Sequence, residues 1–212
     1  MRQVLLVGGA PRVAIDAVRF LSVAACGATA LHLAGDLRAA GVPADLLLSA
    51  DARDDALSAR YLDRAGLEAG LARWITEHPD GVVVMSAAVN DYQLARLELV
   101  RGGQATAIAP GAKAPSGGEE LVIRLAPANK VIDQLRGWGL RGPLVGFKYE
   151  GRESVLASAQ ALRRRVDAAL VVANSLCGTV QALVDAQGVH PEATRAGLLR
   201  TLALRLADLA RS

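Results

Sequence analysis

The chain has 212 residues, enough for a single domain with its own core. Hydrophobic residues make up 52 % and aromatic ones 3 %, so the core is expected to be aliphatic. A formal charge of +3, without basic and aromatic residues interleaved, argues against nucleic acid, and no apolar run reaches the roughly 18 residues of a membrane span.

Gln3 to Val7 reads as a first strand that ends at Gly8-Gly9, with a loop through Pro11 after it. A helix is expected to begin near Ala25 to Gly27, because Ala30, Leu33, Ala34 and Leu37 fall on one helical face. Gly41 and Pro43 stop it, and Asp45 to Ser49 forms the second strand. From about Ala56 to His78 the pattern is helical again, with Leu67, Leu71, Trp74 and Ile75 on one side. Pro79-Asp80-Gly81 turns the chain into the strand Val82 to Val84, whose β-branched run is too short for a buried helix. After Tyr92, Leu97, Leu99 and Val100 interleave with charges. Gly102-Gly103, the Gly- and Pro-rich run Pro110 to Gly118 and a returning strand Glu120 to Leu125 then suggest a flap or extended hairpin over about 94–125.

The strand and helix alternation resumes with a short helix Lys130 to Gly137, a strand Leu144 to Tyr149, a helix Glu153 to Val166 and a strand Leu170 to Ala173. Gln181 to Asp185 and Val189 bracket a hairpin turn, and Pro191 opens a last amphipathic helix. This alternation implies an α/β fold, a Rossmann-like doubly wound and mostly parallel sheet with the flap inserted, in one domain over 1–212.

The stretch Gly81 to Gln93 carries the clearest functional signal. A buried strand that ends in Ser86, Ala87 and Ala88, followed by Asn90, Asp91 and Tyr92, has the form of a ligand crevice, since ligands of open α/β sheets bind at the carboxyl ends of strands. An ordinary strand exit closed by an Asx turn would read the same way. Gly8-Gly9 after the first strand is a phosphate-site candidate, but it lacks the dinucleotide spacing. The lysine-bearing phosphate loop is absent too. No tyrosine is followed four residues later by lysine, which disfavours an NADPH-dependent oxidoreductase. His32, His78 and His190 have no metal-ligand spacing, and Cys26 reads as a small packed residue unless a helix N-terminus activates it. Two cysteines are too few for a disulfide framework, and Val4 to Val7 is too short for a signal peptide, so a soluble cytoplasmic protein is expected.

Ala87-Ala88-Val89-Asn90-Asp91-Tyr92 resembles the Ala-Ala-Val-x-Asp-Tyr signature of the phosphopantothenoylcysteine synthetase family. Asp16-Ala17-Val18-Arg19-Phe20, Asn129-Lys130-Val131-Ile132-Asp133, Val145-Gly146-Phe147-Lys148 and Val171-Val172-Ala173-Asn174 match further blocks in the same order. The resemblance implies a nucleotide-dependent ligase of coenzyme A biosynthesis that joins 4'-phosphopantothenate to cysteine. CTP, or ATP, with Mg2+ would activate the carboxylate as an acyl-nucleotide. It also implies a homodimer, and a free-standing ligase half whose decarboxylase partner is separate. By position, the resemblance assigns Met85, Ser86, Ala87, Asn129, Lys130, Val131, Ile132 and Phe147 to the nucleotide, while Gly8 and Gly9 remain the phosphate-site candidate read from the glycine loop. Asp91 would lie beside the base, sugar or metal, and Lys113 would be the catalytic flap lysine. Arg164 and Arg165 would supply charge where the family has lysines on the helix before the last core strand.

One block departs from the family. Its Arg-Phe-Ile-x-Asn-x-Ser-Ser-Gly reads here Arg19-Phe20-Leu21-Ser22-Val23-Ala24-Ala25-Cys26-Gly27, so Val23 replaces the asparagine of the acyl-nucleotide step. Valine has no side-chain donor or acceptor, and losing one such donor costs on the order of 10²–10³ in rate. A divergent homologue that binds a nucleotide or a phosphopantetheine-like ligand without ligating is therefore the alternative.

Overall fold

The computed structural model describes residues 1–52 and 58–212. In chain order the elements are β1 (Val4–Gly8), β2 (Val13–Ala14), β3 (Phe20–Leu21), α1 (Ala28–Ala39), β4 (Ala44–Ser49), β5 (Ala59–Tyr61), α2 (Arg64–Glu77) and β6 (Val82–Met85). They continue with β7 (Tyr92–Arg101), β8 (Gln104–Ala107), β9 (Glu120–Pro127), α3 (Val131–Gln134), β10 (Leu144–Glu150), α4 (Val155–Arg165), β11 (Leu170–Ser175), β12 (Gln181–Val184), β13 (Val189–Pro191) and α5 (Arg195–Arg211).

The main sheet runs β13-β12-β11-β10-β6-β1-β4-β5. It is parallel from β11 to β5, and the last two strands, β12 and β13, turn back antiparallel. From β1 the chain winds outward through β4 and β5, then returns and winds the other way through β6, β10 and β11. The strand order therefore reverses between β1 and β6. This is the doubly wound α/β arrangement expected from the sequence, and the crevice at such a reversal is where ligands of open sheets bind.

Alternation along β1 explains the layers. Val4 and Leu6 face α1 and α5, where they meet Leu33, Leu37, Leu198, Leu202 and Leu206. Leu5 and Val7 face the opposite layer, where α2 and α4 contribute Leu67, Leu71, Ile75, Val155 and Leu162. Both faces of each central strand are thus covered, which is why these strands read as unbroken Val and Leu runs rather than as alternating ones. Burying one such side chain contributes about 1.5–3 kcal/mol.

Three expectations need correction. The helix expected from about Ala56 to His78 begins at Arg64. Ala56 lies outside the described residues, and Ala59–Tyr61 is a strand in parallel register with β4, pairing Leu47 with Ala59 and Ser49 with Tyr61. Tyr61 is buried and donates its hydroxyl to the Gly8 carbonyl at 2.8 Å, which holds the segment extended. The helix then starts where Asp63 caps it, accepting from the Gly66 N–H at 2.8 Å. Secondly, Pro191 does not open the last helix. It ends β13, and Thr194 caps α5 by accepting from the Gly197 N–H at 3.0 Å. Lastly, Cys26 is exposed rather than packed.

The segment after Tyr92 forms a three-stranded antiparallel sheet, β8-β7-β9. Gly102 and Gly103, both at positive φ, make the two-residue turn between β7 and β8. This sheet has a small core of its own, Leu97 with Ile15 and Ala114, flanked by Val13, Leu94, Ile108 and Leu121. The two-residue strands β2 and β3 pair beside it as a hairpin.

Candidate active site at the sheet reversal

A cavity of about 650 Å3 opens at the carboxyl ends of the central strands. Its floor is the end of β6, where Met85 is followed by Ser86, Ala87 and Ala88. This end is fastened to the end of β1 and to the loop after it. The Ser86 N–H and hydroxyl both donate to the Val7 carbonyl, at 3.0 and 2.7 Å, and the Ala88 N–H donates to the Gly9 carbonyl at 2.9 Å. The small side chains leave the floor open. Asn90 then makes the Asx turn, its Oδ1 accepting from the Tyr92 N–H at 3.0 Å. The turn and the crevice coexist in one stretch.

Gly8 and Gly9 lie behind the cavity rather than in its wall, and packing explains both. A Cβ on Gly8 would meet the Ala30 Cβ at 2.7 Å, so glycine lets α1 approach the strand. Gly9 has φ of 87°, and a Cβ there would lie 2.0 Å from the Ser49 Oγ. That buried hydroxyl has no hydrogen-bond partner among the described residues.

On the α3 and α4 side the wall holds Asp91, Lys130, Val131, Ile132 and Arg165. Lys130 Nζ contacts Asp91 Oδ2 at 2.6 Å, and the Asp91 carbonyl accepts from the Ala128 N–H at 2.8 Å, so the β6 exit and the approach to α3 are tied together. Arg165 pairs with Asp133 at 3.0 Å. Asn129 contributes its carbonyl to Arg64 and stands outside the wall, as does the exposed Arg164. Phe147 and Lys148 come from β10, where Lys148 donates to Glu150 at 2.8 Å. Hydrogen bonds from Lys148 and Ser158 hold the Glu150 carboxyl below its ordinary range.

The opposite wall comes from α1, β11 and α5. Arg195 donates to Asn174 Oδ1 at 2.8 Å and to Thr29 Oγ1 at 2.9 Å, joining the first turn of α5 to the end of β11 and the first turn of α1. Burial pushes the Arg195 guanidinium down from its ordinary pKa. Sequence reasoning missed Arg195, because it is one arginine among many at the start of an amphipathic helix. Asn174 was visible within its Val-Val-Ala-Asn block.

Lys113 is exposed, lies outside the cavity wall, and has no partner among the described residues. Its neighbour is held firmly: the Ala114 N–H donates to Asp16 Oδ2 at 3.1 Å. Asp16 turns the β2–β3 hairpin, with Oδ1 accepting from the Val18 and Arg19 N–H groups at 2.9 and 2.7 Å and Oδ2 contacting the Arg19 guanidinium. Burial would raise its pKa, but the backbone donors and Arg19 outweigh burial and lower it to about 2. Val23 is 42 % exposed and precedes Gly27, which caps α1 without a side-chain hydrogen bond.

No group of three or more His, Cys, Asp or Glu side chains able to hold a metal occurs among the described residues. Among the described residues, Asp91 and Glu150 are the carboxylates that line the cavity, and Asp91 is the one on the α3 and α4 side. This fits Mg2+ bound through one protein carboxylate and ligand phosphates, with Lys130 released from Asp91, rather than a metal held by protein alone. No helix of the described residues is long and apolar enough to cross a membrane.

The family model described as the DNA/pantothenate metabolism flavoprotein C-terminal domain matches residues 1–190. A DNA/pantothenate metabolism flavoprotein from Streptococcus pneumoniae superposes with a TM-score of 0.80 at 20 % identity, over 98 % of this chain and 97 % of that one. The C-terminal domain of the coenzyme A biosynthesis bifunctional protein CoaBC gives 0.74 at 19 %, over 98 % and 92 %. A histidine-to-alanine mutant of Cab2, in complex with phosphopantothenate-cysteine, gives 0.77 at 16 %, over 98 % and 86 %. At these identities the likeness concerns the fold. A search of curated proteins found no match.

Proposed function

Because the chain belongs to the family of DNA/pantothenate metabolism flavoprotein C-terminal domains, we propose that it is a nucleotide-dependent ligase joining 4'-phosphopantothenate to cysteine in coenzyme A biosynthesis. The observation that carries this reading is the cavity at the β1–β6 reversal, whose wall brings together Met85, Ser86, Ala87, Asp91, Lys130, Val131, Ile132, Phe147 and Arg165.

In this reading the base and sugar of CTP lie against the backbone of Met85 to Ala87 and the ring of Phe147. Asp91 and Lys130 face the phosphates, and Mg2+ bound there would supply charge neutralisation as pyrophosphate leaves. The carboxylate of phosphopantothenate attacks the α-phosphorus; an acyl–oxygen–phosphorus link forms as the bond to pyrophosphate breaks. The cysteine amine then attacks the acyl carbon, loses a proton, and CMP departs. The small residues at the floor let the acyl group approach the strand end, and the apolar Ile132 and Phe147 limit competing water.

Lys113 lies outside its own chain's cavity wall, so in this reading the protein is a homodimer in which the flap lysine serves the partner's cavity. Val23 supports a second reading, a binding protein without ligation, because no donor occupies the family's asparagine position. Thermal melting with CTP, ATP and NADPH added separately, each with Mg2+, tests the nucleotide reading. Saturation at about 100 times Kd stabilises by roughly 2.7 kcal/mol, so a rise with CTP or ATP is expected. Stabilisation by NADPH, with neither CTP nor ATP stabilising, would overturn the ligase reading.

A further inference from the structure

The cations that line the cavity are not equivalent. Lys130 pairs with Asp91, Lys148 with Glu150, and Arg165 with Asp133. Among the described residues, Arg195 is the cavity-lining cation that has no carboxylate partner; it meets only the neutral oxygens of Asn174 and Thr29. A partly buried charge is costly unless an opposite charge or hydrogen bonds compensate it. Two neutral acceptors orient the guanidinium without neutralising it. A guanidinium carries five N–H groups, and those of Arg195 not used on Asn174 and Thr29 have no acceptor among the described residues.

The surroundings specify the chemistry of the missing partner. Thr29 is in the first turn of the 12-residue helix α1, which has no acidic residue in that turn and whose cap, Gly27, offers no side-chain acceptor. The Thr29 hydroxyl, in the first turn of α1, and the Arg195 guanidinium fork thus meet at one end of the cavity. A phosphoryl group presents several oxygens and matches that set. A carboxylate, with two oxygens, would leave part of it unused. Burial also lowers the Arg195 pKa, as expected for a cation still lacking its counter-charge.

We propose that Arg195, positioned by Asn174 and Thr29, is a ligand-binding residue that takes a phosphoryl group at the α1 end of the cavity. The phosphoryl group comes either from the nucleotide or from the phosphorylated acid. This assignment rests on the ligase reading only for the identity of those two ligands.

The test is calorimetric titration of the full chain and of Arg195→Gln with five probes: CTP, 4'-phosphopantothenate, inorganic tripolyphosphate, cytidine and pantothenate. Arg195→Gln should weaken at least one phosphorylated probe tenfold or more and leave its unphosphorylated parent unchanged. Loss confined to CTP assigns the nucleotide, and loss confined to 4'-phosphopantothenate assigns the acid; both support the proposal. Arg195→Lys, which keeps charge but not the fork, should fall between the two. If the Gln variant does not fold, Arg195→Lys carries the test, with a severalfold loss for the phosphorylated probe alone. Arg195-dependent binding of tripolyphosphate without any response to CTP in the titration, or to CTP or ATP in the melting experiment, would uphold Arg195 while removing the ligase reading. Unchanged affinity for every phosphorylated probe, no binding of any of them by the unmodified chain, or an equal loss for cytidine or pantothenate would overturn the proposal.

Discussion

Gly9 and Asp16 show how single residues set this site without touching a ligand. At Gly9 a positive φ coincides with the Ser49 hydroxyl, 2.0 Å from where a Cβ would sit. Gly9→Ala combines left-handed backbone strain with overpacking, so it should lower unfolding free energy by about 2–4 kcal/mol, measurable by urea denaturation. Stability within 0.5 kcal/mol of the original would show that the loop after β1 yields easily. Asp16 acts by charge. Its pKa falls from an ordinary 3.8 to about 2 in the folded chain, so the folded state favours the carboxylate. The stabilisation is therefore complete above about 3.8 and is lost as pH falls through about 2. Asp16→Asn should be less stable than the original at pH 7, and the gap should narrow steadily between pH 4 and 2. A gap that stays constant over that window would contradict the hydrogen-bond assignment.

At the scale of elements, the three-stranded sheet β8-β7-β9 is attached to the Ile15–Arg19 turn through Asp16 and Ala114, and it carries Lys113 on an exposed segment. Because Lys113 is exposed and has no partner among the described residues, Lys113→Ala should leave ligand-free melting within about 0.5 kcal/mol of the original, as exposed substitutions usually do. Triphosphate affinity in a calorimetric titration should fall clearly. Unaltered affinity would make Lys113 an ordinary solvated side chain.

What could be read from the sequence follows from the length and regularity of each element. The Val82 to Met85 strand was plain because β-branched residues end abruptly in small ones, and α1 and α2 were plain because their buried leucines keep the helical period. Strand β5 was hidden: it has three residues, no alternation of its own, and a helical pattern directly after it. The two-residue strands β2 and β3 carry no periodic signal at all. For the cavity, residues inside family-like blocks could be named in advance, and Met85 to Ala87, Asp91, Lys130 to Ile132 and Phe147 do share a wall. Arg195 could not, since its significance depends on Asn174 and Thr29, distant in sequence and joined only by the fold.

At the scale of the whole molecule, the reversal of strand order between β1 and β6 places the ends of β6, β10 and β11 around one opening, and both helical layers contribute to its wall. The layer with α3 and α4 brings Lys130 and Arg165, each balanced by an aspartate; the layer with α1 and α5 brings Arg195, which is not. In the proposed function this opening activates an acid with a nucleotide. Quenched-flow chromatography with labelled CTP or ATP, Mg2+ and 4'-phosphopantothenate, in the absence of cysteine, tests it directly. Pyrophosphate release is expected and, because Val23 offers no donor at the position where the resemblance implies an asparagine, the acyl-nucleotide should accumulate, with only slow amide formation once cysteine is added. Failure to release pyrophosphate with either nucleotide, under conditions where the protein is folded, would contradict the proposed function.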